Sequence, residues 1–199
     1  MTSPVLNVLS NKYCEQCAVY KSKEHIAVRN ETIALNSKHF PEGSIRLLFV
    51  AESPPMAFAQ NKTSYFYANG PMKYGKLSYR MMSVLFRQKF DRKEDFLREF
   101  MKEFYLVDMV KCPIDKLDSK NEKEDAIKHC AKYLNEELHS LKFQKAVFVG
   151  KGSFGIAKSF LDLKFSYDVI SLPFGSDKNV KNFENGLENV MKSIRPNSQ

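Results

Sequence analysis

The chain has 199 residues, 43% of them hydrophobic and 13% aromatic, with only eight glycines and eight prolines. That is enough apolar material for one cored domain, and it excludes a fibrous or mainly disordered chain. Lys and Arg outnumber Asp and Glu by 31 to 23, a formal net charge of +8 that suits a polyanionic partner such as nucleic acid.

In chain order, residues 4–13 read as a short arm leading to Cys14-Glu15-Gln16-Cys17, and residues 1–40 form an N-terminal arm of a single domain spanning 1–199. Ile45 to Ala51 is a continuous apolar run between Pro41-Glu42-Gly43 and Pro54-Pro55, the pattern of a strand buried on both faces of a parallel sheet. Residues 52–76, rich in Gly, Pro, Asn, Ser and aromatics, read as a long surface loop, where function concentrates. Leu77 to Phe86 and Asp91 to Phe104 carry apolar residues at helical spacing. Tyr105 to Val110 is a second apolar strand, interrupted by Asp108 and closed by Pro113. Asn121 to Leu141 predicts an amphipathic helix with Ile127, Cys130, Ala131, Leu134 and Leu138 on one side. Ala146 to Gly150 is a third strand turning into a helix through KGSFG, Asp168 to Leu172 a fourth, and residues 179–194 a last helix. Strand alternating with helix predicts an α/β fold, a three-layer sandwich around a mostly parallel four-stranded sheet.

In such sheets the ligand crevice lies at the carboxyl ends of the strands. The candidates there are Glu52 and Ser53, Asp108 and Lys111, Lys151 and Ser153, and the segment from Phe174 to Asp177. No apolar run reaches the roughly 18 residues of a membrane-spanning helix. The N-terminal stretch lacks the basic flank, apolar segment and small-residue cleavage site of a secretion signal, so a cytoplasmic location without membrane contact is expected. In that reducing setting the four cysteines are thiols or metal ligands rather than disulfides. Cys14, Cys17, Cys112 and Cys130 together would close a tetrahedral site for zinc or for a cubane iron-sulfur cluster. The bland alternatives are a redox dithiol at Cys14 and Cys17, or cysteines acting as small apolar fillers.

The order of these features resembles the iron-sulfur branch of the uracil-DNA glycosylase superfamily. The resemblance is carried by the Cys-x-x-Cys pair, by FVAESPP after the first strand, by DMVKCP after the second, and by Cys130 within IKHCAKYLNEEL. It implies a uracil-DNA glycosylase-like fold, a 4Fe-4S cluster on the four cysteines rather than the zinc that spacing alone leaves as the alternative, and a monomer that binds DNA. It also implies hydrolysis of the N-glycosidic bond of a damaged or deaminated base. Glu52 stands where the family has the acidic residue that activates water, and Phe66 where an aromatic stacks on the flipped base, with Tyr65 or Tyr67 as alternatives. Ser53 joins them in the base pocket.

Two departures argue against uracil as the base. Asp108 replaces a base-reading asparagine, and an ionised carboxylate only accepts hydrogen bonds. Leu172 replaces a histidine that donates to the departing base. An altered base preference follows, or else a catalytically weak DNA-binding protein that keeps the fold. Lys62 and Lys73, interleaved with aromatics, predict a backbone-binding surface. Lys151 and Ser153 form a phosphate cradle at a helix start, Ser176 offers a hydroxyl to phosphate, and Phe174 with Lys178 sits at a tip that corresponds to the family's minor-groove wedge. Glu52 also fits a role as a backbone cap, Asp108 as an acceptor for loop amides, and Phe174 as a core residue.

Overall fold

The computed structural model of the protein describes residues 17, 31, 44–55, 64–86, 88–114 and 120–194. The arm at 4–13, Cys14 and Lys62 lie outside the described residues. Those described form β1 (Ile45–Ala51), α1 (Leu77–Leu85), α2 (Lys93–Phe100), β2 (Phe104–Asp108), α3 (Lys120–Ser140), β3 (Phe143–Val149), α4 (Lys151–Ala157), β4 (Tyr167–Ile170) and α5 (Asp177–Ile194). The sheet order is β2-β1-β3-β4, and every adjacent pair runs parallel. Helices α3 and α4 touch each other, as do α1 and α5, and the helices flank the sheet in a three-layer α/β arrangement.

Burial explains why these segments become these elements. In the central strand β1, Leu47, Leu48, Phe49 and Val50 have no exposed surface, so a continuous apolar run is what the position demands. Helix α2 buries Phe96, Leu97 and Phe100, and Phe96 and Phe100 pack with Phe49, Phe66 and Phe104 at ring-centroid distances of 5.3–5.9 Å. Strand β2 ends at Asp108 rather than at Val110, although the Met109 and Val110 amides still donate to the Ala51 and Glu52 carbonyls at 2.7 and 2.9 Å. The edge strand β4 is shorter than its apolar run, with Tyr167 exposed.

Two local devices shape the ends of the sheet. Gly150, between β3 and α4, has φ +121°, which favours glycine, and a Cβ there would crowd Leu172 Cγ at 3.3 Å. At the opposite edge, the Tyr67 hydroxyl accepts from the Leu106 amide at 2.8 Å and donates to the Leu106 carbonyl at 2.7 Å. One side chain thereby satisfies both outward groups of a residue on an edge strand. The stretch read as a surface loop is consequently interior in part: Tyr65, Phe66, Tyr67 and Ala68 are all buried.

Candidate nucleotide-binding cavity

A cavity of about 500 Å³ opens at the carboxyl edge of β1 and β2. It lies beside the point where the chain order reverses between β1 and β3, the usual place for a ligand in an open parallel sheet. Its walls are mainly apolar, from Pro54, Pro55, Phe66, Leu77 and Leu106. Ser53, Ser64, Ser78, Lys93 and Asp108 add polar groups. Lys73, Tyr74, Lys76 and Phe174 also line it and are exposed, which makes them its rim. This pattern of apolar walls with a few placed polar groups is that of a small-molecule site.

Asp108 reaches the cavity because β2 ends there, in register with Ala51 of β1. Its side chain is 3% exposed, and Oδ2 accepts from the Tyr65 hydroxyl at 3.2 Å. The strand end is fixed from behind by Lys111, whose Nζ donates to the Asp108 carbonyl and forms a buried ion pair with Glu137 of α3. Lys111, placed among the crevice residues by sequence, is thus a structural strut. The buried Tyr67 phenol has its pKa raised well above the usual value, mainly by desolvation, and stays protonated as the bond to Leu106 requires.

The loop that forms the opposite wall is clamped to the start of α2. The Lys93 amide donates to the Gly70 carbonyl at 2.8 Å and the Met72 amide to the Asp91 carbonyl at 2.8 Å. Glu94 Oε2 accepts from the Gly70 amide at 3.0 Å, and that bond, chiefly, holds its carboxyl below the ordinary range. Lys93 itself is 5% exposed and donates through Nζ to the Tyr65 carbonyl. Burial first, then the nearby Lys73 charge, lowers its pKa to about 8, with Glu94 opposing and Lys76 adding to the shift. On the rim, Arg80 lies over the Tyr74 ring at 5.1 Å, and Gly75 with φ +76° lets the chain turn.

The cavity brings together Ser53, Phe66, Lys73, Asp108 and Phe174 from the sequence expectation. Phe66 sits edge-on to Phe96 and Phe100 at 5.9 and 5.3 Å, so its orientation is set by core packing. Glu52, one residue before the wall at Ser53, pairs its carboxylate with Lys123 of α3 and is not part of the lining. Lys151 is exposed and Ser153 buried within α4. Ser176 accepts the Asn179 amide at 3.2 Å as a helix cap, and Lys178 is exposed. Lys93 was missed, yet it is three, four and seven residues before Phe96, Leu97 and Phe100, on the same buried stripe of α2. A lysine in the phase of an apolar face was the available signal.

The expected cluster is not supported. Among the described residues no group of three or more His, Cys, Asp or Glu side chains is placed to hold a metal ion. Cys112 and Cys130, each 5% exposed, belong to the hydrophobic core, and Cys17 packs against it. On the described residues, which do not include Cys14, the expected 4Fe-4S centre on Cys14, Cys17, Cys112 and Cys130 and its zinc alternative are both overturned. The described cysteines take the positions of small apolar side chains.

No helix among the described residues is long and apolar enough to cross a membrane. A family model described as the uracil DNA glycosylase superfamily matches residues 37–197. No curated protein matches the chain.

Proposed function

Since the chain belongs to the uracil DNA glycosylase superfamily, we propose that it draws an extruded nucleotide of DNA into this cavity and hydrolyses the N-glycosidic bond of a modified base that carries an exocyclic amine. The observation that carries this reading is the buried Asp108 carboxylate at the cavity wall, held by the Tyr65 hydroxyl at 3.2 Å. With that hydroxyl as a donor, Asp108 keeps acceptor capacity for an amine N–H, whereas the keto oxygen of uracil would meet another acceptor. Phe66 and the paired prolines supply apolar faces for the base, and the rim lysines Lys73 and Lys76 supply charge for the flanking phosphates. Lys151 and Lys178, exposed at the first turns of α4 and α5, follow strands whose carboxyl ends share that edge, and extend the basic surface. Phe174, 44% exposed at the mouth, fits the place of a side chain that fills the stack after extrusion.

In this reading Glu52 orients the attacking water and favours the positive charge that develops on the sugar. Its carboxylate, paired with Lys123, sits one residue before the cavity wall at Ser53. Oligonucleotides each carrying one altered base, incubated with the protein and then treated with alkali, should break at the amine-bearing lesion. The cut should vanish with Glu52→Gln. Persistence of cutting in that variant would remove Glu52 from the mechanism.

A second reading is favoured by one observation, the Glu52–Lys123 pair standing outside the cavity lining: the protein recognises an extruded nucleotide without efficient hydrolysis. Binding of the same oligonucleotides with every lesion left intact would select it.

A further inference from the structure

Lys93 has no part in the reading above, and its position is costly. Its companions on the buried stripe of α2 are Phe96, Leu97 and Phe100. An apolar side chain of similar volume would occupy such a site without desolvating an ammonium group. The lysine is nevertheless turned to the cavity wall, with Nζ against the Tyr65 carbonyl. Tyr65 therefore bridges two functional groups, its backbone carbonyl taking Lys93 and its phenol giving to Asp108. A nucleotide whose base is read at Asp108 places its sugar at another point of the same wall.

Buried lysines in apolar pockets are the usual carbonyl-capturing nucleophiles, because desolvation leaves part of the amine unprotonated near neutral pH. The phosphate-facing charge is already provided by the exposed Lys73 and Lys76 at the rim, so a third cation 5% exposed inside the cavity calls for a different task. Loss of a base from deoxyribose leaves an abasic sugar, and its ring-opened form carries an aldehyde at C1′.

We propose that the Lys93 amine captures this aldehyde as a reversible imine, so that the protein also binds abasic sites covalently. The inference rests on the reading of the cavity as a nucleotide pocket. The nitrogen lone pair adds to the C1′ carbonyl carbon while the carbonyl oxygen takes up a proton, and the nitrogen then gives up one of its own. The resulting carbinolamine expels its hydroxyl group as water with one further proton, leaving a C1′=N bond. Addition of water to that bond restores amine and aldehyde, and no oxidant or reductant takes part.

The test uses the full chain with two duplex oligonucleotides, one with a natural abasic site and one with its tetrahydrofuran analogue, which lacks the aldehyde. Both should bind. Sodium cyanoborohydride should convert the imine of the natural site to a stable secondary amine, giving a protein–DNA species on a denaturing gel and peptide mapping of the adduct to Lys93. Lys93→Met should lower its yield at least tenfold, and Lys102→Met, at an exposed lysine paired with Glu99 outside the cavity, should leave it. Mapping on the unaltered protein keeps the test independent of whether the variant folds. Binding of the analogue with no adduct from the natural site overturns the imine alone. An adduct at another lysine or at the N-terminal amine does the same. Binding of neither duplex overturns both the imine and the nucleotide-pocket reading.

Discussion

The two sides of Asp108 treat a buried lysine in opposite ways. Behind the strand, Lys111 is 1% exposed and locked to the Glu137 carboxylate and the Asp108 carbonyl. In front, Lys93 is 5% exposed, borders a cavity and meets the Tyr65 carbonyl, and its pKa drops to about 8. A buried cation with a carboxylate partner is a fastener. One that lines a cavity and surrenders its proton easily is available for chemistry.

Cutting the fastener gives the largest expected effect. Glu137→Ala strands the Lys111 charge in the interior and should cost about 3–5 kcal/mol of folding stability, read by chemical denaturation. A loss under about 1 kcal/mol would mean that the closed side is not held by this pair.

The open side is sharpened by pH. Folded, Lys93 releases its proton at about 8, and unfolded near 10.5. Between those values the unfolded chain holds more protons, so stability should rise with pH across the window, by on the order of 3 kcal/mol at 1.36 kcal/mol per unit. The charges that set the shift with burial are Lys73, Lys76 and Glu94. Lys93→Met should flatten the rise when wild type and variant are titrated side by side, and equal slopes would refute the assignment.

The seam between the two sides is Tyr67. Tyr67→Phe leaves the Leu106 amide and carbonyl without the hydroxyl that serves both, a loss of about 1–3 kcal/mol measurable by thermal unfolding. The smallest stability effect belongs to the cavity mouth. Phe174→Ala, at a side chain 44% exposed, should change stability by no more than about 0.5 kcal/mol while weakening binding to lesion-bearing DNA. An unchanged affinity would take Phe174 out of the interface.

The framework was legible in the sequence because its signals are local. The run from Ile45 to Ala51 reads as a doubly buried strand and is one, and the periodic stripe of residues 121–141 matches α3 within a residue at each end. Asp108 was legible as a polar interruption within the second apolar run, and its carboxylate meets the cavity because the strand stops there and not at Val110. Long-range partnerships were not. Nothing near Tyr67 announces that its hydroxyl completes a strand at Leu106, so a segment rich in turn formers reads as surface although its aromatics are interior. The cysteine spacing fits a metal site as well as it fits core positions, since spacing reports sequence distance and not the packing that decides between them. Lys93 was visible as a charge in an apolar phase, but only the cavity gives that oddity a meaning.

The Tyr67 bond has a consequence for self-association. An outer strand with open amide and carbonyl groups invites another chain to add a strand of its own. Here the same aromatic run that walls the pocket occupies those groups at Leu106. Any change that prises this run away from the sheet would therefore do more than spoil the pocket: it would uncover an adhesive border on which copies of the protein could polymerise.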